Sequence, residues 1–299
     1  MNTRQIRVFL TVCDSGSMTA AARILFMTQP SVSQVISELE KESGVRLFER
    51  LNHRLYLTDA GDRLRLYANQ ILHLSEQAKK ELADLEGGGS IRIGASLTIG
   101  AYVLPGMIEA YRQKMPKVEI FTLVDNTSVI EELILQDQLD LGLVEGPIHS
   151  PFIREDAFND DELVIICGLG HSLWGRTRIE PDDLTGNAFI IRESGSGTRD
   201  IFEKAMSELG VIWKTAGIYN NIEAIKQAVR GNLGLAVVPK ISIEEEIKLG
   251  QVWVTEVRGL NLKRKFNLVY HRQKFFTTAM QTFIQTCKKN SPELVEEKQ

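Results

Sequence analysis

The chain has 299 residues, enough for two or three globular units of roughly 100 to 200 residues each, so a single small scaffold is excluded. With 43% hydrophobic and 25% charged residues, 23 Gly and 8 Pro, the composition is that of an ordinary globular protein, which excludes global disorder, collagen-like repeats and a coiled-coil rod. Taken whole, the formal net charge of −4 argues against a nucleic-acid binder, because neutralising phosphates needs Lys and Arg.

The first predicted elements are helices. Ile6, Phe9, Leu10 and Cys13 recur at helical spacing, as do Met18, Ala21, Ala22 and Leu25, which predicts two short amphipathic helices broken at Ser15-Gly16. A third follows, with Thr28 as N-cap, Pro30 in the first turn, Val32, Val35, Ile36 and Leu39 on the apolar face, and Gly44 as the stop. Two short helices joined by a tight turn suit a helix-turn-helix, in which the second helix puts its N-terminal residues on base edges. Gln29, Ser31, Ser33, Gln34 and Ser37 share the outer face of that helix. Gln can bond adenine bidentately, Ser can bond bases or phosphate, and the Pro30 ring can touch a thymine methyl, although a plain solvated face carries the same residue types.

Leu47 to Arg50, a tight Asn52-His53 turn and Arg54 to Leu57 predict a small hairpin carrying Arg46, Arg50 and Arg54. Such a wing lies naturally along a phosphate backbone, and three surface arginines are equally what solubility asks for. Thr58 then caps a long helix in which Leu64, Ala68, Ile71, Ser75, Ala78, Leu82 and Leu85 alternate in steps of four and three. That spacing predicts a coiled-coil seam with a second copy of the same helix.

Gly87-Gly88-Gly89-Ser90 frees the backbone and marks a hinge. Downstream, short β runs are predicted at 91–95, 118–124, 139–144, 163–167, 188–191, 235–238, 252–257 and 266–271, and helices at 99–114, 128–136, 198–209, 222–230 and 275–289. Alternation of this kind predicts an α/β architecture, and its length predicts two lobes. Ligands in such folds sit where strands end and helix N-termini offer free N–H groups. Ser96 and Thr98 lie at one such junction, Asn126-Thr127-Ser128 at another, and Arg192-Glu193-Ser194-Gly195-Ser196-Gly197-Thr198-Arg199 at a third, where the alternative reading of Ser196 or Thr198 is a helix cap. Hydroxyls and amides with few fixed charges suit a small oxyanion or carboxylate; Glu145 could repel one, Arg199 is either a ligand or a surface residue, and Asn221 is predicted to cap the next helix.

Enzyme chemistry finds little support. His53, His73, His149, His171 and His271 are scattered, with neither HExxH nor G-x-S-x-G spacing, and Cys13 and Cys167 are predicted to be buried and inert. Three dispersed cysteines exclude a disulfide framework or thiolate zinc site and suit a reducing compartment, and no apolar run approaches a membrane span; a cytoplasmic protein without membrane attachment is expected.

The ordered runs Gly16-Ser17-Met18-Thr19-Ala20-Ala21-Ala22, Thr28-Gln29-Pro30-Ser31-Val32-Ser33, Leu39-Glu40, Gly44-Val45-Arg46-Leu47-Phe48-Glu49-Arg50 and Leu57-Thr58-Asp59-Ala60-Gly61 resemble the winged helix-turn-helix of LysR-type transcriptional regulators. The resemblance extends over the whole chain. It implies an all-α N-terminal winged helix-turn-helix at 1–58, a linker and dimerisation helix with hinge at 59–89, and an α/β effector domain at 90–299. That domain would have two lobes of periplasmic-binding-protein type 2, lobe I at 91–161 and 266–290 and lobe II at 162–265. The implied DNA contacts are Gln29, Pro30, Ser31, Ser33, Gln34, Arg50 and Arg54, with Gln34 standing where the family commonly has a basic residue. The Gly195-Ser196-Gly197-Thr198-Arg199 turn resembles that of the sulfur- and carbon-assimilation regulators, whose effectors include sulfur oxyanions and phosphorylated or carboxylated metabolites. Implied effector contacts are Ser96, Thr98, Ser196 and Thr198, with Thr127, Ser128 and Asn220 as weaker candidates. The expected partners are operator DNA, a small anion, a second copy through the linker helix, a homotetramer and RNA polymerase; no cofactor is expected. The alternative is a small-anion solute-binding or enzymatic α/β protein with an incidental helical N-terminus.

Segment by segment the charge is uneven. Residues 1–58 hold seven basic against five acidic residues, residues 59–89 four against six, and the rest 24 against 28. The N-terminal +2 is a weak electrostatic footprint, which implies that DNA affinity leans on dimerisation and on the wing arginines.

Overall fold

The computed structural model describes residues 1–51, 54–83 and 88–289. The chain divides into two compact units, one of Met1–Ser90 with Leu135–Gln138 and the other of the remaining described residues.

In the first unit, α1 (Thr3–Ser15) starts in a capping box between Asn2 and Gln5 and stops at Gly16. Helix α2 (Met18–Ile24) is capped by Ser17, and α3 (Gln29–Ser43) by Thr28, whose hydroxyl accepts from the Ser31 N–H. Gly44 ends α3 at φ 72°, a left-handed conformation that costs an L-residue with a side chain and so favours glycine. Phe9, Val12, Ala21, Val32, Ile36 and Leu39 form the core, and the fully buried Ala21 lets α2 approach its neighbours closely. The strands β1 (Phe48–Leu51) and β2 (Arg54–Leu57) pair antiparallel, so the helical module carries a two-stranded wing; the predicted Asn52-His53 turn lies outside the described residues.

Glu40 fastens the wing to α3. Its carboxylate accepts from the N–H groups of Leu47 and Phe48 at 2.8 and 3.2 Å. Removing an acceptor from two partly buried donors costs about 1–3 kcal/mol. Glu40→Ala is therefore expected to bring forward the N-terminal transition in thermal denaturation of the full chain.

Helix α4 (Asp59–Ala83) opens with the Gly61 N–H donating to Thr58 Oγ1 at 3.1 Å. Its predicted seam needs correction. Leu64 and Ala68 pack into the core of the first unit, and the exposed apolar stripe is Tyr67, Ile71 and Leu74. The cause is that α1 already covers one side of the first turns of α4, through contacts that a heptad count cannot register. Leu85 of the predicted seam lies outside the described residues.

The second unit is built on β3 (Ser90–Ala95), α5 (Leu97–Tyr102), α6 (Leu104–Lys114), β4 (Glu119–Val124), α7 (Thr127–Leu135), β5 (Leu141–Val144) and β6 (Ile153–Gly168). There follow β7 (Arg178–Ile179), β8 (Ala188–Arg192), α8 (Gly197–Glu208), β9 (Lys214–Tyr219), α9 (Ile222–Arg230), β10 (Leu235–Pro239), α10 (Glu244–Lys248), β11 (Val252–Val257), β12 (Lys263–His271) and α11 (Thr278–Lys289). The strand order is β4-β3-β5-β12-β6 in the first lobe and β6-β10-β8-β9 in the second, with β11 on β6 and β7 on β11. Two cores result, one under Ile91, Ile93, Tyr111, Leu143 and Phe283, the other under Leu163, Phe189, Phe202 and Leu235. The second unit is thus a two-lobed α/β architecture.

The 16-residue strand β6 belongs to both lobes: residues 153–162 pair with β12, and 163–168 with β10 and β11. Only its apolar second half, 163–167, is predicted from sequence. The single helix expected at 99–114 is two, because Val103 leaves helical geometry and Pro105 begins α6 in its first turn. Strands β7 and β9 and helix α10 are additional to the predicted elements.

Candidate functional site

Each unit carries its own candidate site. In the first, Thr28 and Ser31 share a hydroxyl–hydroxyl bond of 2.7 Å, which orients the start of α3. Pro30 and Gln34 are exposed, whereas Gln29, Ser31 and Ser33 are half-buried. Gln34 donates to Glu38 Oε1 at 3.0 Å, one turn along the same helix, so its amide is held along α3. The backbones of Arg50 and Arg54 lie in β1 and β2; their side chains are outside the described residues.

In the second unit, four of the predicted hydroxyls are buried: Ser96 and Thr98 on the first lobe, Ser196 and Thr198 on the second. Two of them, Thr98 and Thr198, meet at a residue that sequence reasoning missed, Arg264. Its guanidinium donates to Thr198 Oγ1 at 2.9 Å, Thr98 Oγ1 at 3.3 Å and Asp161 Oδ2 at 2.6 Å, and lies 3.7 Å from Glu145 Oε1. One arginine thus bridges a hydroxyl from each lobe. Asp161 and Arg264 are register partners across β6 and β12, so the ladder shared by the two lobes fixes where the guanidinium points. A basic residue on an alternating strand gives no sequence signal of this role; only the pairing of positions 103 apart supplies it.

Glu145 is buried in this cluster, where the Ser96 hydroxyl donates to it. Burial pushes its carboxyl above the usual range, against the pull of Arg264, a bond from Thr98 and the charge of Arg192, and with the push of Asp161. Thr127 is also buried, and its hydroxyl has no hydrogen-bond partner among the described residues. A Cβ built on Gly146 would sit 2.9 Å from that hydroxyl and 2.6 Å from the Cα of Gly197, so only glycine fits where the lobes meet. The lobes also meet where the Ser128 N–H donates to the Gly195 carbonyl at 3.3 Å.

Ser128 and Asn220 have exposed side chains. Ser196 is the N-cap of α8 but makes no side-chain cap bond, and Thr198 accepts from Arg264, so the helix-cap reading of this turn fails. Asn221 does cap α9, accepting from Glu223 and Ala224. Arg199 pairs with Glu203 at 2.8 Å and reaches the Arg192 carbonyl, which makes it a packing residue of α8. Buried hydroxyls, one guanidinium and the uncapped N-terminus of α8 form a set of donors suited to a small oxyanion.

Burial pushes the Cys13 and Cys287 thiols up to about 12 and that of Cys167 to about 11, which keeps all three protonated. Among the described residues no helix is long and apolar enough to cross a membrane.

Comparison with known proteins places both units. Residues 3–62 match the model of the bacterial regulatory helix-turn-helix protein, lysR family, and residues 85–292 match that of the LysR substrate binding domain. An uncharacterized HTH-type transcriptional regulator of Escherichia coli (strain K12), YeiE, is 35% identical over 285 residues, covering 95% of this chain and 96% of that protein. The RuBisCO operon transcriptional regulator of Acidithiobacillus ferrooxidans is 33% identical over 283 residues, covering 94% and 91%. The regulatory domain of CcmR from Synechocystis PCC6803, solved in complex with 2-PG, superposes with a TM-score of 0.63 at 26% identity, covering 67% of this chain and 96% of that one. A carbon-assimilation regulator is thus among the relatives. With both of its units matched in order, the chain belongs to the LysR family of helix-turn-helix transcriptional regulators and is not an enzyme.

Proposed function

We propose that the chain is a DNA-binding regulator whose promoter activity is set by a small oxyanion or carboxylate held between the two lobes of its effector domain. The observation that carries this reading is the convergence of buried hydroxyls from both lobes, Thr98 and Thr198, on Arg264, beside an unpartnered buried hydroxyl on Thr127. The 2-PG bound by the CcmR regulatory domain supports a phosphorylated or carboxylated effector. In this reading residues 1–58 read DNA, 59–89 pair two chains, and 90–299 bind the effector with lobe I at 91–161 and 266–290 and lobe II at 162–265. The exposed stripe Tyr67, Ile71 and Leu74 supports pairing through α4. A homotetramer working with RNA polymerase in the cytoplasm completes the proposal.

On α3, Gln29, Pro30, Ser31, Ser33 and Gln34 are the proposed contacts to bases and flanking phosphates, with Arg50 and Arg54 on the wing contacting phosphates. Anisotropy titrations against the chain's own upstream DNA and a scrambled duplex test this assignment. Gln29→Ala is expected to cost about 1–3 kcal/mol on the operator only. Arg50→Ala is expected to weaken both duplexes alike and to lower the salt slope by about one. Equal losses on both duplexes for Gln29→Ala would remove its base-reading role.

A further inference from the structure

The cleft already holds an anion. Glu145 follows β5, and its carboxylate, 4% exposed, accepts from the Ser96 hydroxyl, is bonded by Thr98 and lies 3.7 Å from Arg264 Nη1. These are the donors that an incoming oxyanion needs. Asp161, 5% exposed, takes the Nε of the same guanidinium, so two buried carboxylates share one cation. Arg192, also buried, is engaged bidentately by Glu193 at 2.8 Å on both arms. A third negative charge entering this cluster meets repulsion that few compensating charges offset.

We infer that Glu145 is a built-in competitor for the effector: its carboxylate occupies the Ser96 and Thr98 hydroxyls and the Arg264 guanidinium in place of an oxyanion, and effector binding is an exchange. In that exchange the carboxylate either swings away from the three donors or takes up a proton from solvent and becomes a neutral donor to the anion. The inference rests on the cleft reading proposed above. Its consequence is a threshold, because the effector must outcompete a tethered carboxylate whose effective concentration is high. The groups that face Glu145 and set its titration are Arg264 on β12, Asp161 on β6, Arg192 on β8 and Thr98 on α5. Burial dominates among these influences and favours the neutral acid, so the competitor weakens as pH falls.

Calorimetric titration of the full-length protein with 2-PG and with sulfate tests the exchange. Sulfate keeps its charge throughout the range from about pH 8 to about pH 5.5, so any pH dependence of its affinity belongs to the protein. Glu145→Gln, close to isosteric, is expected to bind both anions about tenfold tighter or more, because a like charge leaves the site. Wild-type affinity for sulfate is expected to rise as pH falls, and that of Glu145→Gln to stay flat. Adding Thr98→Val to Glu145→Gln is expected to abolish the binding. Unchanged or weaker anion binding in Glu145→Gln overturns the competitor role while leaving the cleft reading in place. Absence of binding in both wild type and Glu145→Gln, or binding that survives Thr98→Val, overturns the cleft reading and the inference with it. Should Glu145→Gln fail to fold, Glu145→Ala is titrated in its place, with tighter anion binding expected and unchanged or weaker binding overturning the competitor role.

Discussion

Arg264→Met is expected to destabilise the effector unit by about 3–5 kcal/mol, the usual cost of removing one partner from a buried ion pair. For a unit of this size that corresponds to a fall in Tm of roughly 6–20 °C, at about 2–4 °C per kcal/mol. The reason lies in what the side chain serves. Its guanidinium, 2% exposed, is placed against Glu145 and Asp161, and it also donates to Thr98 and Thr198. Methionine fills the volume but leaves two buried carboxylates without their cation. Arg264→Lys keeps the charge and loses the fork that reaches both lobes, so an intermediate loss is expected. The deficit also has a pH signature. Glu145 has a raised folded-state pKa, and losing Arg264 raises it further. Stability from a raised group is full below its unfolded value, near 4.5, and is lost as pH rises through the folded value. The gap between variant and wild type should therefore be small in acid and widen toward neutral pH, as melts of both across that range would record.

Gly197→Ala is expected to hold the lobes apart and remove the effector response. A Cβ at this position would lie 2.2 Å from the Gly146 Cα and 2.7 Å from its amide nitrogen. Both obstacles are backbone, so no rotamer relieves the clash and the lobes must separate. Overpacking of this kind costs about 1–3 kcal/mol, and here it falls on the arrangement in which Gly146 and Gly197 touch. A ligand shifts a conformational equilibrium only through differential affinity for its states, so penalising one state weakens binding and response together. Anion affinity should drop about tenfold or more, at 1.4 kcal/mol per decade, while Tm changes little. A calorimetric titration and a melt on the same sample would separate these outcomes; a large fall in Tm with unaltered affinity would mean that the Gly146–Gly197 contact is only packing.

Local rules made the first unit legible. Thr28 before Pro30, and Gly44 after an apolar stripe, are start and stop signals whose physics is contained in one turn of chain, and α3 runs between them. The hydroxyl-bearing turns at Ser96-Leu97-Thr98 and Gly195-Ser196-Gly197-Thr198 were legible for a similar reason, since strand-to-helix junctions have their own composition. What escaped was non-local. The first half of β6, Ile153-Arg154-Glu155-Asp156-Ala157-Phe158-Asn159-Asp160-Asp161-Glu162, is too charged to resemble a buried strand, yet pairing with β12 holds it extended. Strand β9 carries Ala216 and Gly217, poor strand formers, and forms because β8 offers it a parallel edge. Arg264 belongs to the same class: its role exists only once β6 and β12 are in register. The α4 seam was half legible, since periodicity located an apolar stripe but not the burial of Leu64 and Ala68 against the first unit's own core.

Footprinting of the full-length chain on its own upstream DNA, with and without 2-PG, tests most directly whether a ligand in this cleft governs DNA binding. The cleft mechanism predicts a protected region below about 0.1 M salt that changes extent or cleavage pattern when the anion is added, and a Thr198→Val chain whose footprint no longer responds. An identical anion-induced change in Thr198→Val, or no sequence-specific protection at any low salt, would contradict it.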